Sequence, residues 1–139
     1  MEVKIKKLHP DAVIPQYATA GAAGFDLVAV EDVSLMPGET KLIPIGLAFE
    51  IPEGYEMQIR PRSGLSLRTK LRQSTCIGTI DSDYRGEVRG MFDNISESDT
   101  YLIRKGDRIA QAVIAPVERA EFTVVGELSE TKRGAGGFG

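Results

Sequence analysis

The sequence predicts an all-β fold, a small barrel or sandwich of short strands with one short helix. Three observations lead to it. Glycine (15) and proline (7) interrupt the 139 residues so often that few stretches are long enough for a typical helix. From Leu42 onward, Ile43, Ile45, Leu47, Phe49 and Ile51 place an apolar side chain at every second position, the period of a strand with one buried face. Short runs of similar character recur along the chain with turn residues between most of them, the spacing expected of a barrel or sandwich.

Taken in order, residues 3–8, 25–29 and 32–35 are strand candidates. Residues 42–51 and the run Tyr55, Met57, Ile59 are expected to form a hairpin around the turn at Pro52, Glu53 and Gly54. Pro44 has no N–H for a ladder, so its strand is expected at an edge or with a bulge. A helix is expected from about Ser63 to Lys70, capped by Ser63, with Leu65, Leu67 and Leu71 as its apolar side. Residues 88–94, 100–103, 108–115 and 121–125 complete the strands. From Ser129 onward there is too little apolar surface to fold alone, which divides the chain into a body, residues 1–128, and a glycine-rich arm, residues 129–139.

The length suits one domain. A net charge of −3 argues against a protein that coats nucleic-acid phosphates, and no apolar run approaches a membrane span. With one cysteine, Cys76, no intramolecular disulfide can form, and the first residues carry no apolar signal core; both points favour the cytoplasm. A small phosphorylated ligand remains compatible, since it needs only a few arginines, backbone N–H groups or a metal.

Five short elements could carry chemistry. Gly78-Thr79-Ile80-Asp81-Ser82-Asp83-Tyr84-Arg85-Gly86 displays a carboxylate and an aromatic ring at what reads as a tight hairpin; taken singly, it reads as a solvated turn. Pro61-Arg62-Ser63-Gly64 sets a guanidinium and a hydroxyl at a helix start, where phosphate is attracted. Asp26 follows the small-residue loop Ala20-Gly21-Ala22-Ala23-Gly24; alone it reads more readily as a turn or cap residue than as a metal contact. Gln111 lies inside the otherwise apolar strand after Gly106-Asp107 and must be satisfied by protein or ligand. Arg133 and Phe138 belong to a glycine-rich tail that, by itself, reads as disordered.

In this order and at these intervals the five elements resemble the five motifs of the trimeric dUTPase family, along essentially the whole chain. The resemblance implies a jelly-roll-like β-barrel that forms a homotrimer, with the arm exchanged between subunits. It also implies hydrolysis of dUTP to dUMP and pyrophosphate with Mg2+, which keeps uracil out of DNA and supplies dUMP for thymidylate synthesis. By position, Asp81 would activate water, Arg62, Ser63 and Gly64 would contact phosphates, and Gln111 would stand near the phosphates and the water. Asp26 would hold Mg2+ through water. Tyr84 would exclude a ribose 2′-hydroxyl, while uracil would be read by Thr75, Gly78, Thr79, Ile80 and Arg89, largely through main chain. Arg133 would reach the γ-phosphate and Phe138 would stack over the base. The chain departs from the family at Thr75, where many members have an asparagine amide. A dCTP deaminase of the same superfamily would need a glutamate near the base and a different string around the arginine, and neither is found. A solely regulatory, non-catalytic role is disfavoured by the presence of Asp81, Tyr84, Arg62, Gln111 and Phe138 together; a second, partner-binding role stays open.

Overall fold

The alternating run after Leu42 buries its inward side chains as its period demands. Ile43, Ile45, Leu47, Phe49 and Ile51 are each 3% exposed or less in the computed structural model, which describes residues 1–139. Their strand partners differ from the sequence expectation. The run is split into β4 (Thr40–Pro44) and β5 (Leu47–Glu50), and neither pairs with β6 (Tyr55–Pro61). β5 lies antiparallel to β1 (Lys4–Lys7), whereas β4 pairs with β9 (Arg89–Asn94). The break is at Gly46, whose φ of +69 suits glycine and whose missing Cβ leaves room where that atom would stand 2.7 Å from His9 Cβ. The expected hairpin is therefore absent, although the turn before β6 forms, with Tyr55 N–H donating to Pro52 O at 3.2 Å.

β6 instead lies between β11 (Arg108–Pro116) and β8 (Gly78–Ile80), and β2 (Phe25–Val28) completes a four-stranded sheet in the order β2-β11-β6-β8. A three-stranded sheet runs β4-β9-β7, with β7 spanning Leu71–Gln73, so Pro44 does lie on an edge strand. β3 (Val33–Leu35) pairs with β10 (Tyr101–Ile103). Together the sheets wrap one core as a jelly-roll-like barrel. Leu27, Leu35, Met57, Leu71, Phe92 and Ile109 fill it at 2% exposure or less, each contributing about 1.5–3 kcal/mol of apolar burial. Asn94 is also buried, but its amide bonds the carbonyls of Leu35 and Asp99 and its oxygen accepts from Ser96 N–H, so it is fully used.

The helix, α1, is shorter than expected and spans Ser63–Arg68. Its cap is Arg62 rather than Ser63, with no side-chain capping bond. Thr69 ends it by directing both its N–H and its hydroxyl to Leu65 O, and Leu71 enters β7 instead of the helix face. Leu67 is 87% exposed. The expected strand at residues 121–125 is not formed: β11 is the last strand, and everything from Val117 to the end is exposed. No helix is long and apolar enough to cross a membrane.

Candidate active site

Asp26, Arg62 and Gln111 meet at one end of the four-stranded sheet. Asp26 lies between the inward Phe25 and Leu27, so the strand period turns it outward, and it stands opposite Gln111 in the β2–β11 ladder. Arg62 leaves β6 in an extended conformation, and its Nε donates to Asp26 Oδ1 at 2.8 Å. The other carboxylate oxygen accepts from Arg108 Nη1 at 3.4 Å. Gln111 Nε2 donates to Pro61 O at 3.0 Å, which gives the amide of this otherwise apolar stretch a protein partner. Ser63 is exposed at the first position of α1. The Arg68 guanidinium folds back toward the helix start, 3.2 Å from where a Gly64 Cβ would stand. Arg62, Arg68 and Arg108 thus share a cleft of about 390 Å3, with cationic charge in excess, as phosphate binding requires.

Arg68 and Arg108 escaped the sequence reading. Arg108 and Gln111 are three positions apart, an odd spacing that in a regular strand puts them on opposite faces. A register shift between Arg108 and Ala110 turns both outward, while Ile109 and Ala110 are consecutively buried. Arg68 reaches Gly64 because positions four apart on a helix share a face.

The second group surrounds the Asp81–Val88 loop. The strands on its two sides do not pair with each other as a hairpin would. β8 bonds β6 and β9 bonds β4 and β7, so the loop crosses from one sheet to the other and leaves a slot between them. Leu42, Thr79, Ile80, Asp81, Tyr84 and Arg89 line this cleft of about 520 Å3, a size that accepts a nucleoside. Tyr84 N–H donates to Asp81 O at 3.1 Å, and the Tyr84 hydroxyl donates to Glu87 O at 3.0 Å. The ring lies so close to Gly86 that a Cβ there would stand 2.4 Å from the hydroxyl. Arg89 Nε donates to Glu87 Oε2 at 2.7 Å. Asp81 is exposed at the slot. Thr75 is exposed in the turn leading to Gly78, next to the free thiol of Cys76.

The arm residues stand apart from both groups. Arg133 Nε donates to Gly136 O at 2.7 Å, within the arm itself, and Phe138 is wholly exposed. No residue lines both the phosphate-type cleft and the slot. Nor do three or more His, Cys, Asp or Glu side chains gather where they could hold a metal ion.

Residues 10–139 match a family model, that of dUTPase. The chain belongs to the dUTPase family. Among proteins similar to it, the deoxyuridine 5'-triphosphate nucleotidohydrolase of Nautilia profundicola is 58% identical, with the match covering 100% of this chain and 97% of that protein. The like-named protein of Wolinella succinogenes is 50% identical, covering 100% and 93%. Among solved structures, a dUTPase mutant of Staphylococcus bacteriophage 80alpha bound to dUpNHpp superposes with a TM-score of 0.92 at 31% identity, covering 99% of this chain and 96% of that one. A dUTPase mutant from phage phi11 of S. aureus, described for its coordination of a structural Mg(II) ion, gives a TM-score of 0.86 at 29% identity, covering 94% and 100%. The dUTPase-family barrel is thus matched over its full length.

Proposed function

We propose that the chain hydrolyses dUTP to dUMP and pyrophosphate, at sites shared among three copies and with Mg2+ carried on the triphosphate. The observation that carries this reading is the slot between the sheets, nucleoside-sized and with Asp81 exposed at its wall, in a chain of the dUTPase family. Main-chain groups of Gly78, Thr79 and Ile80, with Thr75 and Arg89, read uracil in that slot. The Tyr84 ring, held against Gly86, underlies the deoxyribose and leaves no room for a 2′-hydroxyl.

Asp81 takes a proton from water as the water oxygen bonds to phosphorus and the α–β anhydride bond breaks. Arg62, Ser63 and Gly64 hold the phosphates, and Arg62, fixed by Asp26, meets the charge that develops there. Gln111, oriented by Pro61 O, stands beside the phosphates and the water. With one carboxylate already shared by two arginines, the Asp26 corner fits a water-mediated contact to an ion that arrives on the substrate. Mg2+ supplies charge neutralisation and a single triphosphate conformer when bound.

Two features support a trimer with shared sites. Arg62 and Arg108 of the phosphate corner line one cleft, and the base slot is a separate cleft that shares no lining residue with it. Phe122, Val124 and Leu128 are 93%, 99% and 87% exposed on a segment without partners of its own, as a stretch that docks on a second copy would be. The arm, residues 129–139, then closes over the triphosphate, with Arg133 on the γ-phosphate and Phe138 on the base. A lone thiol and a net charge of −3 fit a cytoplasmic enzyme that leaves nucleic acid alone. Pyrophosphate release measured with dUTP, UTP and dCTP, alongside sedimentation, tests the whole reading. The expected result is a trimer turning over dUTP alone. Equal turnover of all three, or a fully active monomer, overturns it.

A further inference from the structure

Gln73 is buried at 6% exposure on β7, a position where an apolar side chain would be ordinary. Its amide Nε2 donates to two carbonyls, Ile59 O on β6 at 2.8 Å and Cys76 O in the turn at 3.1 Å. Because both partners are acceptors, only the NH2 end of the amide can face them, which leaves no choice of orientation. Oε1 is the one buried side-chain polar atom of the chain without a hydrogen-bond partner, a cost that an apolar residue would not carry.

What the donor half holds in place is the turn that begins the slot. Ile59 stands opposite Gly78 in the β6–β8 ladder. Cys76 sits in the left-handed region at φ +59, a strained conformation for a residue with a side chain, which persists only where its surroundings impose it. Its N–H returns to Gln73 O at 3.0 Å, so Gln73 grips Cys76 at both its N–H and its carbonyl. From there the chain passes to Gly78, and the Thr75 hydroxyl lies 3.8 Å from where a Gly78 Cβ would stand. Ser74 is tied separately, through Asp93 Oδ1 at 2.7 Å and Met91 O at 2.9 Å. One interior amide therefore sets the height of the Thr75–Gly78 backbone against β6.

We propose that Gln73 is a positioning residue for base recognition: from the interior it fixes the Thr75–Gly78 main chain that reads uracil, at the place where this chain has no asparagine amide. The inference rests on the slot reading above. It requires that loss of the two donated bonds loosen the base site while leaving the chemistry at Asp81 intact.

The test uses the full chain with Gln73→Met, of similar volume and without donors, and Gln73→Glu, which keeps the shape but sets oxygens against two carbonyls. Binding of dUMP is measured by calorimetry, and kcat and KM for dUTP and dCTP by pyrophosphate release. Both variants are expected to raise the dUMP Kd about five- to thirtyfold, as for one or two lost interior hydrogen bonds. KM for dUTP should rise in step, kcat should stay within about twofold, and the dUTP-to-dCTP ratio of kcat/KM should narrow. A merely structural Gln73 would lower the melting temperature and leave dUMP affinity of the folded protein unchanged, and that result overturns the proposal. In the unsubstituted chain the Gln73 side-chain NH2 signals should be protected from exchange and should move on dUMP saturation. Freely exchanging signals overturn the proposal whatever the variants do. If the unsubstituted chain does not bind dUMP at all, the slot reading itself falls. If it binds dUMP and Gln73→Met matches it, the slot stands and only the role of Gln73 is lost.

Discussion

The phosphate corner and the base slot hold their shape by opposite means. At the corner, long charged side chains do the work: Arg62 and Arg108 converge on Asp26, and each is fixed by the charge it faces. At the slot the backbone is held from outside by neutral side chains, with the Tyr84 ring against Gly86 and Gln73 beneath the turn. A corner of this kind grips any polyphosphate. On the proposed function a slot of this kind would select one base and one sugar, which would place specificity and affinity in different parts of the fold.

Several substitutions sharpen or break this division. If Asp81 is the proton acceptor proposed above, Asp81→Asn should cost on the order of 10²-fold or more in kcat while the slot and dUMP affinity are retained. Near-full turnover would remove Asp81 from the chemistry. Truncation before Arg133 should leave a trimer by sedimentation and lower dUTP turnover about tenfold or more if the arm closes over the triphosphate as proposed; an unchanged rate makes the arm dispensable. For Arg62→Lys, which loses the planar fork facing Asp26, the affinity for dUpNHpp should fall about tenfold while that for dUMP falls much less. Equal losses for both ligands would erase the distinction between corner and slot.

At the slot, Gly86→Ala drives a methyl into the Tyr84 hydroxyl, so the ring must shift. The expected reading is a several-fold narrowing of dUTP-over-UTP preference, roughly 1 kcal/mol, with melting temperature nearly constant because the loop is exposed. Unchanged sugar preference would show that Tyr84 does not guard the 2′ position.

The smallest effect concerns acid stability. Hydrogen bonds from Thr40 and then Ser74 hold the Asp93 carboxyl below its ordinary value. A lowered value in the folded state means the contribution is present above the unfolded carboxylate range and is lost as pH falls through the lowered one. Asp93→Asn should therefore melt slightly lower than the parent at pH 7, with the gap closing toward pH 3. A gap that does not vary with pH would detach those bonds from the charge.

The sequence was informative about faces and poor about partners. The period of Ile43 to Ile51 told which side chains point inward, and they are buried, yet nothing local told that Gly46 sends the two halves to different sheets. The loop at Asp81 was visible as a polar display between strands, but the pairing of β8 and β9 with other strands is a long-range choice. Arg108 was hidden because a bulge inverts the alternation on which sequence reading depends. Nothing local marks Gln73, because the carbonyl its amide meets belongs to a different sheet. The strand expected at residues 121–125 has the right alternation, but it pairs with no strand of its own chain.

The position of β11 has a consequence for how the chain comes to be folded. This last strand is bonded on both sides, to β2 and to β6, and Ile109, Ala110 and Ala112 at its centre are wholly buried. Synthesis delivers the keystone of the sheet after almost everything that leans on it. Until residue 116 has left the ribosome, β2 and β6 have no common neighbour and the core has an open side. Its ladders join residues as far apart as Asp26 and Gln111, so loop closure must precede most of the favourable contacts and folding belongs to the slower, non-local kind.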